Sequence, residues 1–277
     1  MKKKNKLGKI NIFINKYSLP ILIILLIITT ILLVIVKVTL GGSIKAENKL
    51  VKNLYSYVSN DEIEKCGGLL FYSDEKVTKE KLTDEQKTCL AFIKTQTIKG
   101  EKIILNKDKN DNICSLEKGK IFATDNYEES KCSIQKYKTD EILKTSKEIF
   151  GKEITLKDSF TLDNYNICYL VDDYYYCGLS ETFSFTIGNE SYVYRVIYKA
   201  IEKGKDEIII YDYFVKITND LCYPTFTSNK ENKKCSENYN NDKVNYKFVK
   251  KYGTKFKHVF KKLEGSDDYY WLSSEPM

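Results

Sequence analysis

Cys168-Tyr-Leu-Val-Asp-Asp-Tyr-Tyr-Tyr-Cys177 decides the fold. Asp172-Asp173 suits a two-residue turn, and the β-branched and aromatic residues on either side suit strands. With that turn, Val171 pairs with Tyr174, Leu170 with Tyr175, Tyr169 with Tyr176 and Cys168 with Cys177. Counting outward, the cysteines form a non-hydrogen-bonded pair whose Cα atoms lie about 4.5 Å apart, within reach of a disulfide. Register and bond chemistry agree on an antiparallel hairpin closed by a Cys168–Cys177 bridge.

The chain has eight cysteines, which allow roughly a hundred pairings. Cys114–Cys132 and Cys222–Cys235 look like wider versions of the hairpin device. Each opens after a polar-apolar step (Asn112-Ile113, Asp220-Leu221), crosses a polar loop and closes just before a serine. Cys66–Cys89 then ties the loop at Gly67 to a helix. Pairing between sequence neighbours is the expectation. No Cys-x-x-Cys occurs and there is one histidine, so neither a zinc site nor a thioredoxin-type pair has its usual spacing. No metal and no cofactor is expected.

Outward from the hairpin, Tyr192–Ile201 and Glu207–Ile217 are β-rich runs joined by a loop at Lys203–Asp206. Ile208, Ile210, Asp212 and Phe214 share one side of the second run, and Ile209, Tyr211, Tyr213 and Val215 the other. A strand apolar on both sides belongs in the middle of a covered sheet. Residues 246–263 read as a helix ending at Gly253 and a strand from Lys255. Thr83-Asp-Glu-Gln86 is a capping box, and Thr139, Asp140, Glu141 and Gly151 bracket another helix. The fold expected is α+β, a few amphipathic helices on a mainly antiparallel, disulfide-stapled sheet.

Toward the N-terminus, Ser18 to Leu40 is almost continuously apolar and, as a helix at about 1.5 Å per residue, is long enough to cross a bilayer. Six lysines and no acid precede it, which predicts a cytoplasmic tail. The organisation expected is therefore a basic tail at 1–17, a transmembrane anchor at 18–40, a stalk helix at 41–60 and an outer domain at 61–277. A sub-boundary is expected near 138. The competing reading is a cleaved signal peptide, whose apolar core is usually only about 7–15 residues. Outside the membrane, thiols are not kept reduced, in keeping with eight paired cysteines.

Charge narrows the function. Of 45 basic side chains seven lie before Gly41, so the rest of the chain balances 38 basic against 38 acidic groups. A nucleic-acid binder carries its excess positive charge on the binding domain, so nucleic acid is excluded as a partner. Arg195 is the single arginine, which leaves little scope for bidentate clamping of phosphate. Lysine, Asn, Ile and Tyr are abundant, as in a low-GC bacterial genome.

Two surfaces are candidates for binding. Tyr174, Tyr175 and Tyr176 suit stacking on sugar rings, although cross-strand packing within the hairpin is the expected role of such a cluster. Lys255, Lys257, His258 and Lys261 belong to a stretch, Lys247 to Lys262, with seven lysines and no acid, suited to an anionic glycan or to lipid headgroups. His258, flanked by lysines, reads as a solvated strand residue. No phosphate loop, nucleophile elbow or zincin motif is present. The function expected is a single-pass, membrane-anchored, non-enzymatic module for an envelope protein or glycan. The alternative is an extracytoplasmic hydrolase using carboxylates or His258.

Overall fold

A computed structural model describes residues 20, 22–33, 42–59, 66, 70–95, 100–106, 113–116, 119–122, 131–162, 166–179 and 191–277. The strands in chain order begin with β1 (Gly42–Ile44), β2 (Val77–Thr78), β3 (Glu101–Asn106), β4 (Ile113–Leu116), β5 (Gly119–Phe122), β6 (Lys131–Lys138) and β7 (Ser159–Leu162). They continue with β8 (Asn166–Val171), β9 (Tyr174–Leu179), β10 (Ser191–Lys203), β11 (Glu207–Thr218), β12 (Leu221–Tyr223), β13 (Thr254–Lys262) and β14 (Tyr269–Pro276). The helices are α1 (Lys49–Ser59), α2 (Asp84–Thr95), α3 (Thr139–Phe150), α4 (Lys233–Asn238) and α5 (Tyr246–Tyr252).

The fold is α+β, with two antiparallel sheets and four disulfides. One sheet runs β1-β10-β11-β13-β14-β2, with β12 added on β11; the other joins β3, β6, β9, β5 and β4, with β8 and β7 beyond β9. β11 is central, as its two apolar faces require. Ile208, Ile210 and Phe214 enter the main core, whereas Tyr213, Val215 and Ile217 pack under α5 with Phe248 and Val249. Between the sheets, α2 packs on β7, α3 packs on β14, and the two helices pack on each other. One apolar cluster therefore runs from Phe160 and Tyr175 in the second sheet to Phe256, Phe260 and Trp271 in the first.

Local sequence signals set the element ends. At α2, the Thr83 hydroxyl accepts from the Gln86 N–H at 3.1 Å, and the Gln86 side chain accepts from the Thr83 N–H at 2.9 Å. At α3, Gly151 takes φ 75° and its N–H donates to the Lys147 carbonyl. Thr139 differs from the expected cap: it is the first helical residue, because its N–H and hydroxyl both donate to the Asp173 carbonyl at 2.9 Å. The turn of the β8–β9 hairpin thus holds the start of α3. Gly253 ends α5 where a Cβ would meet the Val249 carbonyl at 2.5 Å and the Phe214 carbonyl at 2.9 Å.

The β8–β9 register is the one that the Asp172-Asp173 turn dictates, Val171 opposite Tyr174 and Cys168 opposite Cys177. The disulfides are Cys66–Cys89, Cys114–Cys132, Cys168–Cys177 and Cys222–Cys235. Two expectations need correction. The 41–60 segment is not a stalk: Gly42–Ile44 is an edge strand on β10, and α1 buries Val51, Leu54 and Val58 in the main core. Nor does the fold divide near 138, since β6 pairs with β9 across that point. Leu70–Tyr72 forms a 3-10 turn that buries Phe71 and Tyr72.

Residues 22–33 are helical and exposed throughout. Among the described residues no helix is long and apolar enough to cross a membrane. The 1–17 tail and the rest of the 18–40 run, apart from residue 20, lie outside the described residues.

Replacing Cys168 and Cys177 together by alanine is expected to cost about 2–3 kcal/mol, from lost loop closure in the unfolded chain. The hairpin register should survive, because the turn sets it. Urea unfolding followed through Trp271, the one tryptophan, measures the first, and amide exchange in β8 and β9 checks the second.

Candidate functional site

The polar groups that come together in the core lie on three adjacent strands. Asp212 of β11 shares the inward face with Ile208, Ile210 and Phe214. On β13, Ile210 faces His258 and Asp212 faces Phe256, so the imidazole lies diagonal to the carboxylate. Ser274 of β14 lies directly opposite His258. A register shift between Val259 and Phe260 then brings Trp271, three residues before Ser274, to the same side. Asp212, His258, Ser274 and Trp271 are each 0 % exposed.

These groups satisfy one another. His258 Nε2 lies 3.2 Å from Asp212 Oδ1, and Nδ1 lies 2.7 Å from Ser274 Oγ. The Trp271 indole N–H donates to the same Oγ at 2.9 Å. The Asp212 carboxylate can only accept, so the neutral ring carries its proton on Nε2, facing it, and the serine hydroxyl donates to Nδ1; the network assigns this tautomer. Asp212 Oδ2 accepts from Tyr72 at 2.6 Å and from Tyr55 of α1. Tyr72 in turn stacks on Phe214 at 4.3 Å between centroids and meets His258 edge-on at 5.2 Å. Arg195 of β10 lies 5.5 Å from the Tyr72 ring and donates to the Ser59 carbonyl at 2.6 Å, at the end of α1. Burial, followed by the charge of Asp212, raises the Tyr55 and Tyr72 hydroxyls well above the ordinary 10.0.

A hydroxyl, an imidazole and a carboxylate in this order form the constellation that activates serine for acyl transfer. Here it is sealed. A nucleophile needs a site about 3 Å from its oxygen for the reacting carbonyl. Ser274 is fully buried, with the Trp271 indole N–H 2.9 Å from its oxygen. The clefts on the described surface lie elsewhere. One of about 230 Å³ is lined by Lys79, Glu80, Asp84, Lys87, Lys152 and Glu153 among others, and another lies at the β10–β11 tip. The constellation acts as a polar latch between strands and helices.

The residues expected to bind are dispersed by the pleat. Tyr175 is buried against Phe160 at 5.1 Å and its hydroxyl donates to the Lys157 carbonyl. Tyr174 and Tyr176 point to the other face, where Lys136 lies over the two rings at 3.8 and 5.7 Å. On β13, Lys255, Lys257 and Lys261 take one face and Phe256, His258 and Phe260 the other. His258 is therefore not a solvated strand residue, and it leaves the lysine surface altogether. Lys257 is in an ion pair with Glu275 at 2.6 Å, while Lys255 and Lys261 are exposed. All eight cysteines are in bridges, and among the described residues no group of acids, histidines or cysteines is placed to hold a metal. Compared with protein-family models, curated proteins and solved structures, the chain matches none.

Asp212→Asn places an amide N–H₂ among three donors and is expected to cost about 1–3 kcal/mol in urea unfolding. Stability should also fall at alkaline pH. With folded values above the unfolded one, the tyrosine contribution is complete below pH about 10 and is lost as the pH climbs beyond it. Tyr55→Phe should flatten that alkaline decline in a series of thermal midpoints. An organophosphonate probe for activated serines should leave Ser274 unlabelled by peptide mass spectrometry; labelling there would show that the seal opens.

Proposed function

We propose that this is a single-pass membrane protein whose disulfide-stapled domain lies outside the cell and binds an envelope partner without catalysing a reaction. The observation that carries the reading is the helical segment 22–33. Leu22, Ile23, Ile24, Leu25, Leu26, Ile27, Ile28, Ile31, Leu32 and Leu33 are exposed by 47–68 %, all round the helix. A helix apolar on every side is stable inside a large core or in lipid, not against water. The segment is part of an apolar run, 18–40, preceded only by basic charges. Four bridges on the far side of that run agree with an oxidising compartment. The hydrolase alternative draws on the Ser274–His258–Asp212 order, but a binding role needs no opening of the sealed core.

Topology tests the reading. The full chain should remain in the membrane pellet through alkaline carbonate extraction. In right-side-out vesicles, external protease should degrade the domain and leave a small protected N-terminal fragment. Release by carbonate, or protection of the domain, would contradict the proposal.

A further inference from the structure

Building on the anchored reading, the β1 register gives the domain a direction. Gly42 pairs with Glu202, Ser43 with Ile201 and Ile44 with Ala200. Because the pairing is antiparallel, Gly42 is the residue of β1 nearest Lys203 and the β10–β11 turn. On the anchored reading the domain is therefore entered at that end of the first sheet. Glu207 pairs with Lys261, so the β13–β14 connection lies at the same end. The other end, where Ser191 pairs with Thr218 and Phe214 with Thr254, carries β12, α4 and α5. The ends of β10 are roughly 35 Å apart at about 3.3 Å per residue, and along β13 Lys255, at the margin of the lysine end, lies about 20 Å from Lys261.

The ends differ in charge. At the anchor end, residues 202–207 and 261–268 hold four lysines among six acids. Two of those lysines are paired, Lys203 with Glu207 at 3.9 Å and Lys262 with Asp267 at 2.7 Å. At the far end, residues 230–255 hold eight lysines against three acids, and all eight are exposed. Lys233, Lys234, Lys247, Lys250, Lys251 and Lys255 are among them, and none of the eight is in an ion pair among the described residues. Helix α5 presents its lysines outward because Phe248 and Val249 hold its inner face on β11. Aromatic rings are interleaved: Tyr246 is 49 % exposed with Lys250 over it at 5.9 Å, and Lys251 lies 4.9 Å from the Tyr252 ring.

We infer that this lysine–tyrosine end is a docking surface for an acidic glycan held away from the protein's own membrane. Unpaired lysines supply positive potential that their own domain does not neutralise locally. Lysine, as a point charge, reads the spacing of anionic groups and not their planar geometry, so carboxylate and phosphate on a sugar chain both fit. Exposed tyrosine supplies a flat face for the sugar ring. With the anchor end against the bilayer, as the anchored reading has it, a separation of about 20 Å or more exceeds the screening length of about 8 Å, which disfavours the protein's own headgroups as the ligand.

The test uses the full chain in neutral phosphatidylcholine vesicles, titrated against fluorescent polygalacturonate and against a phosphate-bearing glycan. Binding to at least one polymer is expected, weakening about tenfold or more between 50 and 200 mM salt, as for other polyanion contacts. The triple variant Lys247→Gln, Lys250→Gln, Lys251→Gln should lose about tenfold or more. Lys203→Gln with Lys205→Gln should bind as the parent does. Retention of four bridges in each variant controls for folding. Which polymer binds tells a carboxylate ligand from a phosphate one. Absence of binding, loss in the anchor-end variant instead, or equal affinity for neutral dextran or duplex DNA would overturn the inference. So would a fall in affinity when anionic lipid is added to the same vesicles, since that places the lysines at the bilayer. Failure of the anchor reading shows separately, as release of the chain by alkaline carbonate.

Discussion

The fold depends on one carboxylate taken out of water. Asp212 sits in the middle of the central strand, and burying its charge without partners would cost several kcal/mol. Its partners come from far along the chain, Tyr55 from 157 residues away, Tyr72 from 140 and His258 from 46. The disulfides do not make these connections, because their separations run only from 9 to 23 residues. Each bridge staples a local loop. The N-terminal helix is held on the C-terminal strands by the hydrogen bonds to Asp212 and by the aromatic cluster of Tyr72, Phe214 and Phe256. Such long-range closure makes assembly of the two parts cooperative, and slow relative to hairpin formation.

The same atoms show why a constellation is not yet a site. Ser274, His258 and Asp212 have the connectivity of a nucleophile relay, and each of the three is hydrogen-bonded to partners inside the protein. The Trp271 indole N–H lies against the serine oxygen and donates to one of its lone pairs. What remains is cohesion, with three strands and two helical elements joined through one polar row. The binding we propose is then left to the surface, where the lysines of residues 230–255 are exposed and in no ion pair among the described residues.

Much of this was legible in the sequence where the determinant was local. The Asp172-Asp173 turn set the hairpin register, the Thr83–Gln86 box started α2, and Gly151 and Gly253 ended helices. The two faces of β11 could be read from period-two alternation. Asp212 was itself the visible clue, an acid in line with Ile208, Ile210 and Phe214, but its partners lie too far away for spacing to reveal. His258 was misplaced by weighing its lysine neighbours above the parity of Phe256 and Phe260, which puts it on the inner face. The three-residue β1 strand carries too little pattern to be seen, and the shift that aligns Trp271 with Ser274 is a bulge with no sequence signature.

The lysines of α4 and α5, too, gain meaning only from topology. A charge run is ambiguous in sequence; in the anchored arrangement we propose, it acquires a direction. That inference and the integrity of the domain both rest on the Asp212 latch remaining closed. Because the chain has a single histidine, nitrogen-resolved NMR of the imidazole reads the latch without overlap. The ring should show one N–H, on Nε2, exchanging slowly with water. A fast-exchanging ring proton, or a proton held on Nδ1 alone, would contradict the closed latch.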